Sequence, residues 1–129
     1  MAFRSSFFLL YLGVSKYKAR KAIFNGKTYD SKKEAQYAER FYNLLLEGEI
    51  SELQEQIRFD IVVNGTKIGW YVCDFVICSN RGWEYYDVKG FRGGAAYSMF
   101  KYKKKLIKAL YGIDIIELWP TNFTTNATS

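Results

Sequence analysis

Two aspartates and one lysine are the residues of this sequence whose types and spacing could support hydrolytic chemistry. Asp74 interrupts the apolar run 72–76 (VCDFV), while Asp87 and Lys89 are two positions apart in 85–90 (YYDVKG). Side chains alternate along a strand, so Asp87 and Lys89 should share one face. An acid within an apolar strand is costly to bury unless it is paired or binds a cation. The pattern therefore predicts a site at which carboxylates hold a cation beside a lysine.

A turn at residues 79–82 (SNRG) separates the two aspartates, which are 13 positions apart. A hairpin of that length places Asp74 and Asp87 on neighbouring strands. Together with the backbone carbonyl of Val88 they would form an oxygen-rich site suited to Mg²⁺, with Mn²⁺ as a substitute. Such an ion would polarise a scissile phosphate and lower the pKa of a water molecule. Lys89 would orient that water or stabilise charge that develops on the phosphate.

Composition narrows the possible chemistry and partners. The chain contains no histidine, which excludes a Ser-His-Asp triad, a histidine-ligated metal and a histidine general base. Lys and Arg number 19 against 13 Asp and Glu, a net charge of +6. A basic surplus favours a polyanionic partner such as nucleic acid or an acidic membrane surface.

The elements that must position these residues follow from hydrophobic periodicity and turn signals. Asp30 or Ser31 should cap a helix that extends to about Glu47, and Gly48 should end it. After a hairpin at residues 23–29, the pattern predicts a helix at 31–47 and a meander of three strands at 57–63, 68–78 and 83–89. A second helix at 97–110 and a last strand at 113–119 follow. A strand that follows a helix usually joins the sheet in parallel. We therefore predict an α/β fold with a mixed central sheet flanked by helices, in a single domain 1–129 with an N-terminal extension 1–15 and a flexible tail 121–129.

The two cysteines and the apolar N-terminus bear on cellular location. Cys73 and Cys78 are five positions apart in a strand-like run, so they should point to opposite faces and form no disulfide. Residues 7–12 (FFLLYL) are too few to span a bilayer, and no small-residue cleavage site follows them. We interpret them as a strand or helix turn that packs on the core or on a second subunit. Lone thiols without a secretion signal indicate the reducing cytoplasm, and no membrane partner is expected.

The segments DSKKEA at 30–35, GEI at 48–50, CDFV at 73–76 and DVKGF at 87–91 resemble a family of short phage-encoded proteins in the PD-(D/E)xK nuclease superfamily. The resemblance covers roughly residues 16–119. It implies a restriction-endonuclease-like core in which Asp74 is the first acid, Asp87 the second acid and Lys89 the lysine. It also implies that Glu34, in the first helix, is a third metal-site acid.

The sequence departs from these relatives at two positions. Cys73 precedes Asp74 where the superfamily commonly has proline, and Tyr86 precedes Asp87 where the phage family often has Glu. The alternation that keeps Lys89 on the metal face selects Asp87 as the second acid. Glu34 has a structural alternative, because Ser31 and Glu34 match a capping box.

Several polar and basic residues are candidates for DNA contact. Gln56 precedes the predicted first strand and is either a contact to the site or DNA, or an ordinary polar strand start. Gly90, Gly93 and Gly94 mark a loop near the scissile phosphate or a simple turn. The basic candidates lie on the second helix and in an N-terminal arm, where a solvated basic face is the alternative: Lys101, Lys104, Lys105, Lys16, Lys18, Arg20 and Lys21.

The residue pattern predicts Mg²⁺-dependent phosphodiester hydrolysis, and the resemblance implies an endodeoxyribonuclease of phage DNA recombination or processing. Small members of the superfamily resolve Holliday junctions as homodimers, so the resemblance implies a branched DNA substrate and a dimer. Aromatic residues of the meander that lie outside the core would cover the dimer interface, or alternatively stack on bases. A nicking or recombination-linked nuclease on linear or single-stranded DNA is the near alternative. A non-catalytic nucleic-acid-binding protein that keeps the fold, and a small membrane-surface protein, are alternatives from other classes.

Overall fold

The computed structural model describes residues 10–13, for their backbone, and residues 21–119. The chain divides into two compact units, Met1–Glu49 and Ile50–Ser129. The elements in chain order are β1 Leu10–Gly13, β2 Lys21–Phe24, β3 Lys27–Tyr29, α1 Lys32–Leu46, β4 Glu52–Val63, β5 Thr66–Ser79, β6 Gly82–Val88, α2 Gly94–Tyr111 and β7 Ile115–Leu118.

The N-terminal unit contains a three-stranded antiparallel sheet, in the order β1-β2-β3, and helix α1. The predicted hairpin is confirmed: Asn25 and Gly26 both have positive φ, as the turn between β2 and β3 requires. Ser31 caps α1 by accepting a hydrogen bond from the Glu34 N–H. Of the apolar N-terminal run, Leu10–Gly13 forms β1, whereas residues 7–9 lie outside the described residues.

The C-terminal unit is built on a four-stranded sheet in the order β4-β5-β6-β7. Strands β4, β5 and β6 form the predicted antiparallel meander, and β7 returns after α2 to pair in parallel with β6. The mixed sheet and the α/β class are therefore confirmed. Helix α2 covers one part of this sheet through Phe100 and Ile107, which pack in one buried cluster with Ile61, Tyr71, Cys73, Val76 and Ile115.

Two element boundaries were predicted too far along the chain. β4 begins at Glu52 rather than Ile57, because its polar first half pairs with residues 75–78 of β5 and this pairing outweighs the weak strand preference of Glu and Gln. α2 begins at Gly94 rather than Tyr97, since Ala95 and Ala96 favour helix strongly. Neither α1 nor α2, the helices of the described residues, has an apolar stretch long enough to cross a membrane.

Candidate active site

A row of polar side chains crosses the four-stranded sheet at one level. β4 pairs Glu55 with Phe75 and Ile57 with Cys73, and this register sets Gln56 opposite Asp74. The last pair of β5 with β6 is Phe75 with Tyr86, so Asp74 and Asp87 are the next residues of the two strands. β6 pairs Asp87 with Glu117 of β7. The row therefore runs through Gln56, Asp74, Asp87 and Glu117, one residue from each strand.

The backbone hydrogen bonds between β5 and β6 end next to this row. Beyond that point, side-chain hydrogen bonds connect the two strands. Asp74 Oδ2 accepts a hydrogen bond from the Val88 N–H at 2.9 Å, and its Oδ1 accepts one from Gln56 Nε2 at 3.2 Å. The Cys73 thiol donates to the Tyr86 carbonyl at 3.4 Å. The half-buried Asp74 carboxylate is thus fixed by contacts from both neighbouring strands.

Asp87 is the buried charged residue of the site, with 4% of its surface exposed. Its Oδ2 accepts a hydrogen bond from the Tyr71 hydroxyl, and its Oδ1 forms an ion pair with Lys89 Nζ at 2.9 Å. The prediction that Asp87 and Lys89 share one face is confirmed by this contact. Lys89 Nζ also lies 3.7 Å from the centre of the Phe100 ring on α2, an arrangement that favours a cation.

Burial, assisted by the nearby carboxylates, keeps the Tyr71 hydroxyl and the Cys73 thiol protonated. Burial raises the pKa of the Tyr71 hydroxyl far above its usual range, and the negative charge of Asp87 raises it further. Burial, followed by the charges of Asp87 and Asp74, raises the pKa of the Cys73 thiol to about 12. Both groups therefore act as neutral donors near neutral pH, and neither provides an anionic nucleophile.

Glu117 belongs to the same row but was not among the predicted site residues. Its carboxylate accepts hydrogen bonds from Tyr97 at 2.8 Å and Lys104 at 2.8 Å, and from Lys101 at 3.2 Å. Burial works to raise the pKa of Glu117, but these donors outweigh burial and lower it to about 2. A signal was present in the sequence, because Glu117 interrupts the apolar strand Ile115–Leu118 just as Asp74 interrupts its own.

Gln56 contacts the site, but its predicted place in the fold is wrong. It lies inside β4 rather than before the first strand, because β4 starts four residues earlier, at Glu52. Its φ of +55° is in the left-handed region, which costs a residue with a Cβ atom about 1–2 kcal/mol. Strained backbone of this kind persists where surrounding contacts impose it, here the pairing on both sides of Gln56 and the bond to Asp74.

The basic candidates are in different situations. Lys101 and Lys104 form ion pairs with Glu117, whereas exposed Lys105 has no ion-pair partner among the described residues. Lys21, in the N-terminal unit, pairs with Asp30 at 3.0 Å. The remaining members of the N-terminal basic arm lie outside the described residues: Lys16, Lys18 and Arg20.

Glu34 lies in the first turn of α1, in the N-terminal unit, where it is half-buried. Its N–H donates to Ser31 Oγ at 3.1 Å, which is one half of the predicted capping box. The role of Glu34 as a third metal-site acid stays a prediction.

The donor set suits a hard divalent cation held by few protein ligands. Within the part of the chain that the structure describes, no three His, Cys, Asp or Glu side chains form a metal cluster. Mg²⁺ does not require one, because it commonly binds through one or two carboxylates and completes its shell with water and substrate phosphate. Asp74 and Asp87 supply two carboxylates against one ammonium group, Lys89, so a negative surplus remains for a cation. Asp74 and Asp87 therefore fit Mg²⁺, and the Val88 carbonyl stays a predicted third ligand.

Comparison with known proteins places the chain in a family. No curated protein and no solved structure is similar enough to the chain to count as a match. A family model described as "Protein of unknown function (DUF1064)" matches residues 14–122, which include the whole polar row and both helices. The chain therefore belongs to the DUF1064 family, whose function its description leaves open.

Proposed function

We propose that this protein is a metal-dependent nuclease with a restriction-endonuclease-like core, in which Asp74 and Asp87 hold Mg²⁺ and Lys89 acts on the scissile phosphate. One observation carries the proposal: Asp74 and Asp87 are the residues that directly follow the last β5–β6 pair, Phe75 with Tyr86, and Lys89 Nζ is 2.9 Å from Asp87. The order of helix, meander, helix and parallel strand, together with the resemblance to the PD-(D/E)xK superfamily, supports the same assignment.

Each side chain of the site has a defined part in this proposal. Bound Mg²⁺ would supply Lewis-acid polarisation of the phosphate oxygens. The Lys89 ammonium, placed by Asp87 and Phe100, donates hydrogen bonds to a phosphate oxygen and stabilises the negative charge that develops there. Tyr71 and Gln56 each donate to one carboxylate and hold it in position, which is the role of partners around metal ligands.

Water is the nucleophile that these groups favour. The raised pKa values of Tyr71 and Cys73 keep both groups protonated, so neither attacks phosphorus as an anion. The sequence contains no histidine to activate a serine or threonine. A phosphodiester would therefore be hydrolysed directly, without a covalent intermediate on the protein.

DNA is the proposed substrate, and branched DNA such as a four-way junction is the proposed form. The net charge of +6 supports a polyanionic partner, and the resemblance to small junction-cleaving members of the superfamily supports the branched form and a homodimer. The experiment incubates the purified full chain with a four-way junction, a flap, a linear duplex and single strands of DNA and RNA, with Mg²⁺, Mn²⁺ or EDTA.

We expect cleavage that requires Mg²⁺ or Mn²⁺ and is strongest on the junction. Asp74→Asn and Asp87→Asn should each lower the cleavage rate by at least about 100-fold, the size of effect seen when one preorganised stabilising group is removed from an active site. Asp60→Asn is the matched control, because Asp60 is an exposed aspartate of the same sheet and pairs with Arg58 and Lys67. Cleavage that survives EDTA, or that Asp60→Asn reduces as much as Asp87→Asn, would contradict the assignment.

Glu34 is proposed as a third acid of the metal site, and two variants separate this role from helix capping. Ser31→Ala removes the cap and should cost about 1 kcal/mol of stability without changing the metal requirement. Glu34→Gln should lower cleavage and raise the Mg²⁺ concentration needed for half-maximal rate. If Glu34→Gln changes only the stability, Glu34 serves the helix alone.

A second candidate function is nucleic-acid binding without cleavage. It is favoured by the Tyr71–Asp87–Lys89 contacts, which satisfy both oxygens of the buried carboxylate without any added ion. In that case the protein would bind DNA equally well in Mg²⁺ and in EDTA, and no substrate of the panel would be cut with either metal.

A further inference from the structure

A groove along helix α2 lies next to the polar row and differs from it in character. Its volume is about 370 Å³, within the size range of pockets that hold a small organic ligand. Four lysines line it, Lys101, Lys104, Lys105 and Lys108, together with one acidic residue, Asp114. Their spacing along α2 puts these ammonium groups on adjacent turns of one side of the helix. Lys101 and Lys104 pair with Glu117 and Lys108 pairs with Asp114, so four positive charges meet two negative ones and the rim keeps a positive surplus.

The floor of this groove is apolar. Ala109 of α2, Ile113 of the following loop and Ile115 of β7 line it. A purely electrostatic contact to a duplex backbone needs no apolar recess. An unpaired nucleotide suits such a recess. Its base and sugar have apolar faces whose burial is favourable, and its phosphate is attracted by the lysines.

The groove is also continuous with the proposed catalytic row. Lys101 and Lys104 line the groove and at the same time bond to Glu117, which pairs with Asp87 in the sheet. Glu117 therefore orients two of the groove's ammonium groups one strand away from Asp87. If a phosphate of a nucleic-acid strand lies at Lys89, the neighbouring nucleotides of the same strand would reach Lys101 and Lys104.

We propose that this groove binds an unpaired nucleotide of a nucleic-acid strand, with its phosphate on the lysine rim and its base or sugar on the floor of Ala109, Ile113 and Ile115. The inference rests on the proposed function for its choice of nucleic acid as the ligand. It adds that the nucleotide beside the scissile phosphate is unpaired when it is bound, so a fully paired four-way junction must open there. Lys105, which has no ion-pair partner among the described residues, is the lysine most available to a phosphate.

The test measures binding by the full chain carrying Asp87→Asn, so that no substrate is cut. The probes are a fluorescent ten-residue oligothymidylate, a blunt duplex, thymidine monophosphate and an acidic peptide of equal length. We expect the oligothymidylate to bind more tightly than the other three. Lys105→Ala with Lys108→Ala should lower its affinity by roughly tenfold and reduce the slope of log affinity against log salt by about 1.4, which corresponds to two phosphate contacts.

Two matched controls separate the groove from general electrostatics. Lys67→Ala with Lys103→Ala removes the same charge outside the groove, where Lys103 lies over the Trp70 ring, and should change the affinity far less. Ala109→Trp fills the groove without changing charge and should weaken oligothymidylate binding, whereas Leu110→Trp, on the next and exposed position of α2, should not. Ala109→Glu is the second variant, for use if the bulky tryptophan impairs folding.

Several outcomes would overturn the groove assignment. They are equal losses from the two lysine pairs, no effect of either Ala109 variant in folded protein, and tighter binding of the duplex or the acidic peptide. The nuclease proposal fails separately, through absence of metal-dependent cleavage in the unmodified chain. Strand binding that depends on the groove without any cleavage would leave the groove in place and remove only the nuclease.

Discussion

Replacing Glu117 by glutamine removes the charge that holds two lysines and a tyrosine together on the α2 side of the sheet. Glutamine has nearly the same shape. Its amide oxygen can accept from Lys101 and Lys104 in place of Oε2, while its NH2 group takes the place of Oε1 and can donate to the Tyr97 oxygen. What is lost is the charge-assisted part of the two lysine bonds, at 2.8 and 3.2 Å, while the Tyr97 contact at 2.8 Å reverses its donor and acceptor. The variant therefore measures the electrostatic contribution of Glu117 with little change in packing.

The lowered pKa of Glu117 gives the size of this contribution. The pKa falls from an ordinary 4.5 to about 2, which at about 1.4 kcal/mol per pH unit corresponds to about 3 kcal/mol of stability at neutral pH. Lys101 and Lys104 are 45% and 30% exposed, so solvent screens part of the attraction. We therefore expect Glu117→Gln to lower the free energy of unfolding by about 1.5–2 kcal/mol at pH 7.

The pH dependence follows from the direction of the pKa change. A group whose pKa is lowered by folding contributes fully above its unfolded pKa, here 4.5, and loses its contribution as the pH falls towards 2. Urea unfolding of both proteins, followed by tryptophan fluorescence at pH 7 and pH 3, should show a stability difference at pH 3 of less than half that at pH 7.

The comparison isolates Glu117, because every other carboxylate titrates in both proteins. Asp114→Asn is the control, since Asp114 is 77% exposed in its pair with Lys108 and should contribute less than about 0.5 kcal/mol. A Glu117→Gln difference that is the same at pH 7 and pH 3 would refute the electrostatic reasoning. So would a difference at pH 7 no larger than that of the control.

Other contacts of the row lead to separate predictions. Gln56→Gly and Gln56→Ala both lose the hydrogen bond to Asp74, but only glycine adopts the left-handed backbone without strain. In urea unfolding, Gln56→Gly should therefore be about 1 kcal/mol more stable than Gln56→Ala, and equal stabilities would contradict the strain. Lys89→Met leaves buried Asp87 without its cation and should cost about 2–3 kcal/mol, more than Lys89→Arg, and a cost under 1 kcal/mol would show that solvent compensates the pair. Iodoacetamide at pH 8 should alkylate Cys78 in the folded protein and buried Cys73 only on unfolding, because the pKa of Cys73 is raised to about 12. Alkylation of the two cysteines is followed by mass spectrometry, and equal alkylation rates in the folded protein would refute this prediction.

The centre of the site could be predicted because its geometry is local. Alternation along one strand places Asp87 and Lys89 on the same face, whatever the rest of the fold does. The turn at residues 79–82 is tight, and a tight turn determines which residues of the two strands lie opposite each other. Counting back from Ser79 and forward from Gly82 brings Asp74 and Asp87 to the same level, and the observed pairing follows this register as far as Phe75 with Tyr86, one residue before them.

Glu117 could not be assigned in the same way, although its sequence carried a comparable signal. β7 reaches the sheet through helix α2, so no turn determines its register with β6. That register depends on how Phe100 and Ile107 of α2 pack against the sheet, which is a property of the folded core. The acid in an apolar strand indicated that Glu117 needs a partner, but the pairing with Asp87 and the bonds to Lys101 and Lys104 required the three-dimensional structure.

The partner of Asp74 on β4 shows how a distant irregularity of the backbone decides the chemistry of the site. The turn at residues 64–65 pairs Val62 with Lys67, and this register, continued unchanged, would set Glu55 opposite Asp74. Two carboxylates facing each other across strands repel. A bulge leaves Ile68 unpaired, so Ile61 pairs with Gly69 and every later pair shifts by one residue. Gln56, a hydrogen-bond donor, therefore takes the place that the simple hairpin would give to a second acid.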